Sequence, residues 1–240
     1  MTHIATAEMY GSGKAEKLVG SAILGRRDEV FLVSKVLPEN ASKRGTITAC
    51  ERSLARLGTD RLDCYLLHWR GRHPLGETLA AFETLMQGGK ILAWGVSNFD
   101  VADLEELVRL AGSGRPACNQ VLYHLQQRHI EHAVIPWCTE HGIAVVAYTP
   151  FGESPGLFLS RSRQGQVLHE IAAAHACSAR QVARAFLLRH PGMFVIPKAL
   201  NLDHVADNAA AADLVLSAAE TAAIETAFPR GARRRGLPMI

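Results

Sequence analysis

Neither sign of charge dominates this chain: 26 Lys and Arg face 23 Asp and Glu, a formal net charge of only +3 over 240 residues. Its one basic cluster, Arg230, Arg233, Arg234 and Arg235, falls in a Pro- and Gly-bearing tail and reads as a solvated terminus. A nucleic-acid footprint and a membrane-surface footprint are both left without support. A C-x-x-C pair is also lacking. Cys50, Cys64, Cys118, Cys138 and Cys177 lie mostly in apolar or helical stretches, as buried free thiols do in a reducing compartment. No signal segment and no apolar run of membrane-spanning length is present. The chain is therefore expected to be soluble and cytoplasmic, a monomer or weak homodimer that needs neither nucleic acid nor membrane.

What is present suits a large core. Hydrophobic residues make up 48% of the chain and charged ones 20%, and no shift in composition marks a boundary. One domain over residues 1–240 is expected, with 229–240 as a C-terminal tail. Short apolar or β-branched runs recur at Glu29 to Lys35, Leu62 to His68, Ile91 to Ser97, Ala117 to Val121, Ile143 to Tyr148 and Met193 to Pro197. Each reads as a buried parallel strand. Between them, Thr46 to Leu57, Thr78 to Met86, Asp103 to Leu110 and Ser217 to Ala227 have helical periodicity. Strands spaced by about thirty residues through much of the chain fit repeated strand–helix units. The first βα turn has no G-x-G-x-x-G, which removes the main support for a Rossmann domain and favours an α/β (β/α)8 barrel. With a stub at Thr2 to Ala5 the sequence yields seven strands, and a closed barrel of this class has eight. The expectation is a barrel lacking its first strand and helix, through N-terminal truncation or because something else, such as a partner chain, fills the gap.

Polar residues stand at or just after the C-terminal ends of these strands: Tyr10, Lys35, His68, Ser97 with Asn98, Gln120, Tyr148 and Lys198. That is the barrel face on which catalytic groups converge. A tyrosine, a lysine and a histidine there suit proton delivery to a carbonyl oxygen. A phenol titrates near pH 10 and is a poor acid at neutrality, but a neighbouring ammonium stabilises phenolate and lowers that value. Tyr10 is the candidate general acid, Lys35 its activator and His68 the holder of the carbonyl oxygen. A lone strand-end histidine can equally be a satisfied core residue, and it is the three together that favour chemistry. Trp69 either lines a substrate pocket with Tyr10 or packs under a loop. His129 and His132 in R-H-I-E-H have the spacing of a metal pair but no third ligand, so a solvated helix face is preferred and no metal is assigned. Gly11-Ser12-Gly13-Lys14 does not meet G-x-x-x-x-G-K-[ST] and is assigned no phosphate.

From about residue 2 to residue 228 the chain resembles the aldo-keto reductase family, most closely its bacterial branch that includes methylglyoxal reductases. The resemblance rests on I-A-T-A-E-M-Y-G, V-F-L-V-S-K-V, L-D-C-Y-L-L-H-W, G-V-S-N-F, N-Q-V-L-Y-H, A-Y-T-P and I-P-K-A with Asp207-Asn208. It implies a barrel fold and NAD(P)H-dependent carbonyl reduction, with Tyr10, Lys35 and His68 as catalytic residues. Ser97, Asn98 and Gln120 match positions that hold the nicotinamide carboxamide, and Tyr148 matches the ring that stacks on nicotinamide. Thr149 and Phe151 match positions lining the pyrophosphate, Lys198 the cation at the adenosine 2′-phosphate, and Asp207 and Asn208 adenine-side positions. NADPH is the implied cofactor, with NADH the alternative.

Two departures stand out. The family reads D-T-A-x-x-Y-G at the first motif, and Ala5 occupies the aspartate position. That aspartate pairs with the lysine ammonium, so its loss is expected to leave Lys35 less well placed and Tyr10 a weaker acid. Glu8 is the nearest acid in sequence, on a loop expected to point it elsewhere. After I-P-K the family has serine and later arginine, where this chain has Ala199 and His204, a weaker phosphate ligand. Short loops at Trp69 to Gly76 and Gly152 to Gln164, with a compact tail, favour a small aldehyde or α-dicarbonyl such as methylglyoxal. The competing reading is an inactive nucleotide-binding or scaffold protein derived from the same family.

Overall fold

A strand covered on both faces reads as an unbroken apolar run, and that is how the strands here are used. The computed structural model describes residues 2–153, 158–159, 162–233 and 236–240. Arg234 and Arg235 of the basic cluster, and residues 154–157 and 160–161 of the expected Gly152 to Gln164 loop, lie outside the described residues. Two compact units divide the chain, residues 1–119 and 120–240.

In the first unit β1 (His3–Ala5), β2 (Phe31–Val36), β3 (Leu62–Leu67) and β4 (Ile91–Ser97) pair in parallel, each with the next. β5 (Cys118–Leu122) begins beside β4, with Ala117 N–H donating to the Trp94 carbonyl at 2.8 Å. The register aligns Ala5, Val33, Cys64 and Ala93 in one row and Lys35, Leu66 and Gly95 in the next. Side chains alternate across a sheet, so both rows share a face. Val33, Cys64 and Leu66 form a core cluster there with Ala5, Ala93 and Cys118 against it. Gly95 has to be glycine, because a Cβ would lie 2.5 Å from the Cys118 carbonyl oxygen.

The opposite face meets α1 (Lys14–Ala22), α2 (Lys43–Leu57) and α3 (Leu75–Gln87), and α4 (Val101–Ala111) completes the unit. Tyr65, Phe82 and Trp94 pack ring on ring there, with centroids 5.9 and 5.5 Å apart. Glu16 of α1 is fully buried and accepts from Ser34 Oγ at 2.6 Å and Arg56 Nε at 2.5 Å. Gly11, Ser12 and Gly13 run left-handed (φ 56°, 54° and 85°). A Cβ on Gly13 would meet Arg56 Cδ at 2.6 Å, so the G-S-G-K run is a tight entry to α1 laid against the arginine that holds Glu16. Helix ends are set by caps that periodicity does not reveal. Ser42 Oγ accepts from Gly45 N–H and starts α2 before Thr46, and Asp100 forms a capping box with Asp103 that starts α4 at Val101.

In the second unit β6 (Ala144–Tyr148) and β7 (Met193–Ile196) pair in parallel, and Tyr123 N–H donates to the Tyr148 carbonyl. Among the described residues they are accompanied by α5 (Val134–Glu140), α6 (Arg163–Ala174), α7 (Ala179–Leu188), α8 (Leu202–Ala210) and α9 (Ala218–Ala227). The R-H-I-E-H segment is a single 3-10 turn at His129–His132 whose buried members are Ile130 and Glu131. His132 Nε2 lies 3.0 Å from the Gly231 carbonyl, and the described residues hold no group of three or more possible metal ligands.

The chemistry of that turn belongs to Glu131. It accepts from Arg128 Nε at 2.8 Å, Arg128 Nη2 at 2.7 Å, Tyr123 Oη at 2.5 Å and Arg189 Nη2 at 3.0 Å. Arg128 also donates to the Phe228 carbonyl at 2.6 Å, so the end of α9 is tied to the same cluster. Burial works against the ionised carboxyl, but the bonds from Arg128 and Tyr123 and the charge of Arg189 outweigh it and hold Glu131 down at about 2. A carboxyl lowered on folding stabilises the native state above its unfolded pKa and loses that contribution as pH falls towards the folded value. Glu131→Gln leaves a buried guanidinium short of acceptors and is expected to cost about 3–5 kcal/mol at pH 7. Thermal denaturation checks this: the gap between variant and parent should be full at pH 7 and narrow below pH 4, and a gap that does not depend on pH refutes the charge argument.

Candidate active site

Lys35 is the centre of the site. It lies on the row of β2 that faces the Val33–Cys64–Leu66 cluster and is 1% exposed. Nζ donates to the Thr6 carbonyl at 2.9 Å and to Tyr10 Oη at 3.1 Å. Ala5 pairs with Val33, one row from Lys35 on the same face, and brings no carboxylate to it. Glu8 does not substitute. Its Oε1 accepts from Leu37 N–H at 2.8 Å and Asn40 Nδ2 at 2.9 Å, and Oε2 faces Arg52 at 3.9 Å. Burial lowers Lys35 to about 7, with the nearby Cys118 and Glu16 offsetting only part of the shift.

Tyr10 enters from the loop after β1 and is 37% exposed. Its ring meets that of His68 edge-on, centroids 5.7 Å apart. The expectation that the ammonium lowers the Tyr10 pKa is corrected by the structure: burial raises it. Lys35 is too desolvated to hold a full charge at neutrality, so it cannot impose the shift expected of a permanent cation. His68, at the end of β3, is lowered to about 3 by burial and by Lys35 and is a neutral imidazole at physiological pH. Such a ring can hydrogen bond an oxygen without surrendering a proton. The Trp69 ring lies 4.8 Å from that of His68, beside the site. Its loop is fastened by Arg70, whose Nη2 donates to both Glu106 oxygens at 3.0 Å. Ser97 ends β4, and Asn98 follows in a left-handed conformation (φ 59°) with Nδ2 donating to the His68 carbonyl at 3.1 Å and to Ser97 Oγ at 3.2 Å. Tyr10, Lys35, His68, Trp69, Ser97 and Asn98 thus lie in one unit, joined by direct contacts.

The remaining positions lie in the second unit. Gln120 is buried on β5, and Tyr148 ends β6 half-buried. Thr149 takes a left-handed φ of 51°, and Phe151 follows with its ring edge-on to Phe158 at 5.7 Å. Lys198 is exposed after β7, and His204 is exposed on α8. On the same helix Asn208 is buried, and Asp207 is held by Ser178 Oγ at 3.0 Å. Sequence reasoning missed the Thr6 carbonyl and the buried Glu16. The first is a backbone group with no residue-type signal, and the second is joined to Ser34 and Arg56 at separations no motif spans.

Against known proteins, the sequence pattern of the aldo/keto reductase family matches residues 1–228. The chain belongs to that family. It is 48% identical to methylglyoxal reductase YeaE of Escherichia coli over 240 residues, 100% of this chain and 84% of that protein. Glyoxal reductase of Bacillus subtilis is 37% identical over 217 residues, 89% of this chain and 74% of that protein. An aldo/keto reductase of Klebsiella pneumoniae, solved in complex with NADP and acetate, superposes with a TM-score of 0.94 at 47% identity, covering 100% of this chain and 84% of that one. The fold class is α/β, of the aldo/keto reductase (β/α)8 type.

In this reductase the Lys35 ammonium has carbonyl and hydroxyl acceptors but no counter-charge, which leads to a direct prediction. NMR titration of the lysine Nζ resonances is expected to show one lysine titrating near 7. Ala5→Asp is expected to move it up by about one to three units. A Lys35 that titrates near 10 in the parent chain contradicts the desolvated site.

Proposed function

We propose that this aldo/keto reductase reduces small aldehydes and α-dicarbonyls of the methylglyoxal kind with NADPH, at a rate held down by Ala5. The carrying observation is Lys35 Nζ at 3.1 Å from Tyr10 Oη, with the His68 ring edge-on to the same phenol. When bound, NADPH supplies the hydride. Tyr10 hands its Oη proton to the carbonyl oxygen, and neutral His68 steadies that oxygen through a ring N–H. Lys35 stabilises the phenolate that remains, to the extent that it is charged.

The residues proposed for the cofactor have features that fit one. Lys198 is exposed and makes no ion pair among the described residues, which suits the 2′-phosphate and favours NADPH over NADH. Tyr148 offers a partly open aromatic face at the end of β6, for the nicotinamide ring. Left-handed backbone at Asn98 and Thr149, neither of them glycine, is the strain often found beside ligands. Within the first unit Ser97 and Asn98 are proposed for the carboxamide; within the second, Gln120 is proposed for the same group, Thr149 and Phe151 for the pyrophosphate, and His204, Asp207 and Asn208 for the adenosine side. Support for a small substrate comes from Trp69, held beside His68 by the Arg70–Glu106 pair, and from the two relatives named for methylglyoxal and glyoxal. No helix among the described residues is long and apolar enough to cross a membrane, and Cys50, Cys64, Cys118 and Cys177 form no disulfide, in keeping with a cytoplasmic setting.

The parent chain is expected to bind NADPH and turn over methylglyoxal slowly, with kcat/KM falling as pH rises through about 7 because Lys35 loses its proton. Ala5→Asp should raise kcat by about tenfold or more, with a thousandfold as ceiling, and carry the falling limb to higher pH. No gain in turnover, with fold and NADPH binding intact, would count against the missing carboxylate as the cause. Steady-state comparison with bulky ketones tests substrate size, and a preference for the bulky ketones overturns that part of the reading.

A further inference from the structure

Arg180 lies in the first turn of α7 and is half-buried. Its guanidinium carbon is 4.9 Å from the ring centroid of Phe151 and 4.9 Å from that of Phe158. The two rings stand at 87° to each other, so the guanidinium is braced from two directions by groups that accept no ordinary hydrogen bond. Among the described residues no carboxylate and no carbonyl accepts from it. The fork of N–H groups is thus braced without a protein acceptor among the described residues and, half-buried as it is, remains open to a ligand.

The same turn is fastened on its other side. Ser178, the N-cap of α7, donates Oγ to Asp207 Oδ2 at 3.0 Å, and Gln181 Nε2 donates to the Asp207 carbonyl at 3.1 Å. Arg180 therefore packs on Phe151, proposed for the pyrophosphate side, while its neighbours Ser178 and Gln181 hold Asp207, proposed for the adenosine side. Within this unit His204 occupies the position at which a forked phosphate ligand would otherwise be expected. We infer that Arg180 is a phosphate ligand of the dinucleotide and supplies the bidentate contact that His204 cannot. The inference rests on the proposed cofactor reading and adds a specificity residue to it.

Isothermal titration of the full chain with NADPH, NADH and 2′,5′-ADP tests it without reference to turnover. Arg180→Met keeps the length and the packing against the two rings but removes the charge, and Arg180→Lys keeps the charge without the fork. Loss of a charge-assisted contact is expected to raise the Kd for NADPH by about tenfold or more in Arg180→Met, with Arg180→Lys between it and the parent. The salt dependence of binding should weaken in parallel. A loss confined to NADPH and 2′,5′-ADP assigns the contact to the 2′-phosphate, and a loss shared by NADH assigns it to the pyrophosphate. The first supports the inference, and the second overturns the part that puts Arg180 in the place of His204 as a specificity residue. If the parent binds NADPH and Arg180→Met binds it equally well, Arg180 is only a brace for the loop and the inference fails alone. If the parent binds no NADPH, the cofactor reading fails with it.

Discussion

A buried ammonium without a counter-charge is the constraint on which the first unit depends. Lys35 is 1% exposed, and its two acceptors, the Thr6 carbonyl and Tyr10 Oη, carry no formal charge. An acid is present close by in space but on the wrong side of the strand. Glu16 is bonded to Ser34, the residue before Lys35, and alternation along β2 places that contact across the sheet. Its field reaches Lys35 through the strand while its lone pairs go to Ser34 and Arg56, so it eases the desolvation cost without forming a pair. On the face of Lys35 itself, the neighbouring row begins with Ala5, which brings no carboxylate towards Nζ.

Registry explains why the catalytic groups still converge. Lys35 and Leu66 pair across β2 and β3, and His68 lies two residues beyond Leu66 on the same face, as Ser97 lies two beyond Gly95. The face that buries Val33 and Cys64 at one end therefore presents a lysine, a histidine and a serine at the other. Immediately after the strands the backbone takes left-handed turns at Asn98 and Thr149, after β4 in one unit and β6 in the other. Each is a non-glycine residue paying a local cost at a strand's carboxyl end, and Asn98 recovers part of it through bonds to His68 and Ser97.

Legibility followed the range of the interaction. The strands were readable because burial on both faces leaves unbroken apolar runs, and Tyr10, Lys35 and His68 because each closes such a run or its loop. Helix starts were less readable, since Ser42 and Asp100 act through one backbone bond apiece. In R-H-I-E-H the histidines drew attention, but the structural work falls to Glu131, whose partners Tyr123, Arg128 and Arg189 are set by tertiary packing. The direction of the Tyr10 shift has a related reason: proximity to a lysine is visible in the motif spacing, whereas the depth of Lys35 and the partial burial of Tyr10 are not.

That depth also apportions the consequence of Ala5. A lysine lowered to about 7 by burial is only partly charged at neutrality, so incomplete protonation removes part of the population of competent sites. The other part of the proposed deficit lies with Tyr10, whose pKa burial raises and a charged neighbour would lower. A carboxylate at position 5 would act on both at once, keeping Lys35 charged and thereby easing Tyr10 towards phenolate. On the proposed mechanism, replacing it weakens two coupled equilibria while leaving in place the groups proposed to move the proton, so the change would bear on rate and pH dependence and not on the kind of reaction.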